Sequence, residues 1–237
     1  MEPFESEFPI GQIMQRYELY AAKDLLFSYE ELRRMGVDQQ FIYALLQTFE
    51  DISVFSPDDY AGFPLDVIVD YILRSHKYYL NTRLLEIEQS IDNLLKDYSD
   101  SHPLLPILRK FFAEYKNSLN THMKAEEKYL LPYINELIRF SKDADEAGKH
   151  FNGTNFTLKE FVDNHTDTEK DLSDVRSAIE AYHPPSTNQT PYRILLSQLE
   201  AFERDMMVHA LIEDKVLVPR ALELEKMLNE KYTSSGN

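Results

Sequence analysis

The chain contains no cysteine. Disulfides, thiolate metal sites, cysteine nucleophiles and cysteine-ligated iron-sulfur clusters are therefore excluded, and any metal must be held by nitrogen and oxygen donors. Glycine (6) and proline (11) are scarce among the 237 residues and cluster between long stretches with apolar residues at helical spacing, which favours helices joined by loops over strands. No run approaches the roughly 20 apolar residues needed to cross a bilayer. The acidic opening MEPFESEF lacks the basic and apolar regions of a signal peptide, so a cytoplasmic protein with no membrane association is expected. Basic residues are outnumbered, 25 against 41 acidic, and the net charge of −16 repels phosphate backbones and anionic membrane surfaces. Nucleic acid is not an expected partner. What is abundant is apolar surface: 43% hydrophobic residues suffice for one large domain, or a domain with a small appendage.

The apolar pattern predicts an all-α protein. Leu65, Ile68, Val69, Ile72 and Leu73, followed by Leu80, Leu84, Ile87, Ile91, Leu94 and Leu95, trace one stripe of a helix over about 64–97. A second stripe through Leu105, Leu108, Phe112, Tyr115, Leu119, His122, Glu126, Leu130 and Tyr133 predicts a helix that opens at Pro103 and Pro106 and ends near 141. The polar, glycine-containing SKDADEAGKHFNGTN reads as a loop. A third helix is expected over about 157–182, stopped by His183-Pro184-Pro185, and a fourth over about 191–230. Four long helices with ordinary loops predict an up-and-down four-helix bundle in a domain spanning 61–237. Residues 1–60 form a separate helical appendage in this reading, with two short helices parted by Gly36 and SPDDYAGFP as a linker.

One phrase is written twice. HMKAEEKYLLP, from His122 to Pro132, returns 87 residues later (209 − 122) as HALIEDKVLVP, from His209 to Pro219. On a helix, His-x-x-x-Glu puts both side chains on one face a turn apart, so both can reach one metal centre. Four of the seven histidines fall one per predicted helix, with spacings of 46 (122 − 76), 43 (165 − 122) and 44 (209 − 165). At about 1.5 Å per residue, those spacings let four antiparallel helices bring His76, His122, His165 and His209 to one level. With Glu126 and Glu213 the layer holds four imidazoles and two carboxylates, a donor set for two metal ions rather than one zinc. Taken singly, each histidine or His-Glu pair is more often an ordinary surface or core group. Six such residues on apolar stripes would be costly to bury without a metal. His102, His150 and His183 fall at a bundle end or in loops and are not expected to be ligands. Tyr79, Phe112, Tyr115 and Tyr129 are candidates to wall the site, with core packing the commoner role for such residues.

These segments resemble a known family. FPLDVIVDYILRSHKYYL around His76, HMKAEEKYLLPYI around His122 and Glu126, DNHTDTEKDL around His165, and HALIEDKVLVPRAL around His209 and Glu213 are similar to the hemerythrin-like, HHE cation-binding domain. Among its members the chain most resembles the di-iron repair-of-iron-centres family. The resemblance implies two iron ions with an oxo or hydroxo bridge, held by His76, His122, Glu126, His165, His209 and Glu213 with both glutamates bridging. It also implies a role in restoring iron-sulfur clusters under nitrosative or oxidative stress, through iron donation or nitric oxide chemistry, with iron-sulfur proteins as clients. Manganese and zinc also suit nitrogen and oxygen donors. Oxygen-carrying hemerythrins place a second histidine where this chain has Glu169, which argues against simple oxygen carriage. Repair-type members often begin with a domain bearing adjacent cysteines, which this chain lacks. The competing expectation is a sensor or store for O2, NO or iron, with the N-terminal helices as its output module.

Overall fold

The computed structural model of the chain describes residues 8–18, 29–34, 36–98, 104–142, 158–163, 176–177 and 189–233, and every element among them is helical. The N-terminal part contains α1 (Phe8–Arg16), α2 (Tyr29–Arg34) and α3 (Gln39–Glu50). Gly36 separates the last two, as its place in the sequence predicts. Its φ of +69° lies in the left-handed region that other residues avoid. Its N–H donates to Arg33 O at 3.1 Å and that of Val37 to Leu32 O at 2.8 Å, which closes the end of α2. Asp38 then opens α3, its Oδ1 accepting from the backbone N–H groups of Gln40 and Phe41 at 2.8 and 3.2 Å.

Two short 3₁₀ turns, Ile52–Val54 and Pro57–Tyr60, follow. SPDDYAGFP, read as a linker, carries Tyr60 into the core, where it is fully buried. The Tyr60 hydroxyl and that of Thr48 share a 2.7 Å hydrogen bond, and Arg220 Nη1 donates to Tyr60 O at 3.1 Å. Burial pushes the Tyr60 phenol well above its ordinary pKa, so it stays protonated.

Three long helices lie where they are predicted, the first two along the predicted stripes, and each is interrupted in the same manner. α4 (Leu65–Tyr78) passes through a π turn at Tyr79–Arg83 into α5 (Leu84–Tyr98). α6 (Leu104–Ala125) passes through a π turn at Glu126–Leu130 into α7 (Leu131–Lys142). After the short α8 (Leu158–Asp163), α9 (Thr190–Ile212) passes through a π turn at Glu213–Leu217 into α10 (Val218–Thr233). Of the third predicted helix, only α8 and residues 176–177 lie within the described residues. Two of the π turns stand just before Pro132 and Pro219, the prolines that end the repeated phrase. A proline inside a helix cannot donate its N–H, and its ring crowds the carbonyl four residues back; one widened turn relieves both. The turn at Tyr79 is followed by no proline, and nothing in the local sequence explains it.

The described residues pack as two compact units, each with its own hydrophobic core. In one, Ile13, Tyr17, Leu32, Phe41, Leu45 and Phe49 of the N-terminal helices share a core with Ile68, Ile72, Leu130, Ile134, Ile212 and Leu217. Phe41 is its hub, meeting Tyr60, Phe63 and Tyr71 edge-on with ring centroids 5.2–5.9 Å apart. Arg16 is buried there, its guanidinium 5.1 Å from the Tyr71 ring centroid and 5.7 Å from that of Phe49. In the other unit the core is Tyr79, Leu84, Ile87, Ile91, Phe112, Leu119, Met123, Leu199 and Phe202.

Candidate metal centre

Apolar stripes carry polar residues inward only where sequence phase places them there. His209 lies seven residues after Phe202 and three before Ile212, both fully buried, so its imidazole is drawn into the core and is 4% exposed. One turn later Glu213 is also buried, and its Oε2 stands 3.4 Å from His209 Nε2. The Tyr71 ring lies 6.4 Å from that imidazole, centroid to centroid. The first copy of the phrase places Glu126 at zero exposure between Met123 and Leu130, both core residues. His76 is fully buried in α4.

His76, Glu126 and His209 each offer one ligand atom, and the three atoms lie within 4.8 Å of one another. Two imidazole nitrogens and a carboxylate oxygen, all buried, match the donors that iron, manganese and zinc accept. Burying a carboxylate among apolar side chains is expensive unless a cation or hydrogen bonds offset it. The donor set therefore fits a cation. Each π turn that follows a repeated His begins on the repeat's glutamate, Glu126 or Glu213, so the backbone widens where the carboxylate leaves the helix.

The six residues singled out in the sequence do not all fall in that group. Glu213 stands beside His209 but is not among the three, and His122 is half-buried, one turn before Glu126. His165 lies outside the described residues, as do His102, His150, His183 and Glu169. Tyr79, Phe112 and Tyr115 are core residues, whereas Tyr129 is 49% exposed and does not wall a site. Tyr129 sits inside the π turn that starts at Glu126, and the apolar face there is filled by Leu130 and Leu131. Sequence reasoning missed Asp205, which is fully buried and accepts a 2.6 Å hydrogen bond from the Tyr79 hydroxyl at Oδ1. The available signal was an acid in phase with Phe202 and His209 on an apolar stripe.

Comparison with known proteins bears on this arrangement. The profile of the hemerythrin HHE cation binding domain matches residues 67–221. The chain is 23% identical over 150 residues to the iron-sulfur cluster repair protein ScdA of Staphylococcus haemolyticus, a match covering 63% of this chain and 64% of that protein. It is 26% identical over 168 residues to the iron-sulfur cluster repair protein YtfE of Pectobacterium carotovorum subsp. carotovorum, covering 69% of each. The matched span of the ScdA relative is thus just under two thirds of its length. The profile match takes in His76, both His-x-x-x-Glu phrases and all three π turns. The chain belongs to the hemerythrin HHE cation binding domain family.

Proposed function

We propose that this protein is a cytoplasmic non-haem di-iron protein that acts in the repair of iron-sulfur clusters, with His76, His122, Glu126, His165, His209 and Glu213 as its ligands. The observation that carries the reading is the buried group of His76, Glu126 and His209, whose ligand atoms lie within 4.8 Å. Support also comes from family membership and from relatives named for iron-sulfur cluster repair. Bound iron would supply redox chemistry between its ferrous and ferric states and a place for a diatomic ligand such as NO or O2. The chain's own residues set the terms of that chemistry. Neutral imidazoles outnumber carboxylates in the proposed set, so the site carries less negative charge than carboxylate-rich centres and favours the lower oxidation states. Glu213, 3.4 Å from His209 Nε2, holds that ring in its buried place. Tyr71, its ring tilted against that of His209, and the core beneath it limit water.

Anaerobic loading with ferrous iron tests the site. Two irons per chain are expected for wild type, with binding abolished in His122→Ala and Glu213→Ala. Unchanged stoichiometry in both variants would sink the ligand assignment. The role is tested separately, by mixing iron-loaded protein with a damaged cluster enzyme. Recovery of that enzyme is expected, whereas no recovery alongside tight reversible binding of NO would favour a sensor.

A further inference from the structure

We propose that Tyr79 is a redox-active tyrosine, with Asp205 as the base that takes its proton. The inference rests on the iron-site reading above and adds to it an electron donor within the chain. Three π turns interrupt the described long helices, and two of them begin on the glutamates assigned to iron; the third begins on Tyr79. Irregular turns of this kind concentrate where a helix has to present a working side chain. Tyr79 follows His76 by three residues and Asp205 precedes His209 by four, so each stands about one helical turn from a proposed ligand on its own helix.

The chemistry of the pair is specific. Tyr79 is fully buried, its hydroxyl donates to Asp205 Oδ1 at 2.6 Å and lies 3.3 Å from Asp205 O, and Asp205 is also fully buried. A phenol that loses an electron becomes a strong acid, and in a dry interior the radical cation is prohibitively costly unless the proton leaves at once. A carboxylate already accepting that proton in a short hydrogen bond removes it without any diffusion. The product is a neutral phenoxyl radical beside a neutral carboxylic acid, so no new charge is left in the core. Tyr79 is further enclosed by Tyr78 at 6.0 Å and by Phe202 edge-on at 5.4 Å, which keep water and small reductants from the radical. The oxidant is a peroxide acting at ferrous iron. With two ferrous ions bound, each chain would give three electrons, one from each Fe(II) and one from Tyr79, so three hydrogen peroxides would oxidise two chains and, with six protons from solvent, become six waters. Fe(III), the Tyr79 radical and protonated Asp205 remain. A peroxide is thereby reduced without releasing a free hydroxyl radical, a useful property in a protein that handles iron.

The test uses the full chain loaded anaerobically with ferrous iron, its iron content measured, then mixed with hydrogen peroxide and frozen for electron paramagnetic resonance. A tyrosyl signal that narrows when the tyrosine rings are deuterated is expected in wild type and in Tyr115→Phe, and is expected to be absent from Tyr79→Phe. Asp205→Asn should slow formation of the signal about a hundredfold, the low end of what a positioned base contributes. Tyr79→Phe keeps the buried ring, so it should fold and bind iron like wild type, and circular dichroism with metal analysis checks both. Iron bound and oxidised in wild type with no tyrosyl signal, or an equal signal in Tyr79→Phe, would overturn the inference alone. A wild-type chain that binds no iron would overturn the site reading and this inference with it.

Discussion

A buried aromatic ring and a buried carboxylate make different demands on the same core, and Phe202 stands where both are met. It is fully buried and packs edge-on against Tyr79 and Tyr115, with centroids 5.4 and 6.5 Å away. It therefore fixes the ring whose hydroxyl reaches Asp205. Phe202→Ala removes that wall and leaves a cavity, and a loss of about 3–5 kcal/mol in unfolding free energy is expected from urea titration. A result below about 1 kcal/mol would mean that the surroundings collapse into the gap. The polar residues follow a different logic. Glu126, Asp205 and His76 sit at zero exposure, where each needs a compensating partner, and that need is what made the repeated His-x-x-x-Glu phrase readable as a site. Asp205 lies in no repeat and escaped notice, because a single acid on an apolar stripe resembles an ordinary irregularity of a solvated face.

At the level of elements, end signals settle most boundaries. Asp38 caps α3 through two backbone N–H groups, and Asp38→Ala should cost about 1 kcal/mol, read as a lowered thermal midpoint with circular dichroism unchanged below it. Two of the three described long helices were legible as apolar stripes, since a period of 3.6 residues repeats over many turns, and the third by the proline-containing segment that precedes it. The π turns were not legible. One added residue shifts the phase of everything after it by about 100°, yet a stripe several residues wide absorbs that shift without an evident break. Pro132 and Pro219 were the only marks left in the sequence, and they were noted as part of a repeat rather than as residues a regular helix cannot hold. Tyr60 and Arg16 are polar-tipped residues in a segment read as appendage and linker, and only tertiary packing reveals that both are buried beside Phe49, Tyr71 or Thr48.

For the molecule as a whole, charge and metal act together. A net charge of −16 works against compactness through self-repulsion and draws cations toward the chain. Cations bound only by the folded form stabilise it by mass action, about 2.7 kcal/mol when the free metal is one hundred times the dissociation constant. Ferrous iron under argon should therefore raise the thermal midpoint, and a chelator should return it to the metal-free value. No shift on loading would indicate that iron also binds the unfolded chain or does not bind. Among the described residues no helix is long and apolar enough to cross a membrane. The three widened turns carry one more consequence. Deleting a residue usually ruins a helix because all that follows is rotated out of place, but a π turn holds one residue in excess of the regular repeat. Removal of exposed Asn81 from the turn at Tyr79, which no proline follows, would let that turn relax to an ordinary α-helix while Leu84 onward kept its footing in the core. The fold thus contains a position where the chain can be shortened by one residue at the expense of the Tyr79 turn alone, which separates the length the architecture requires from the length the site requires.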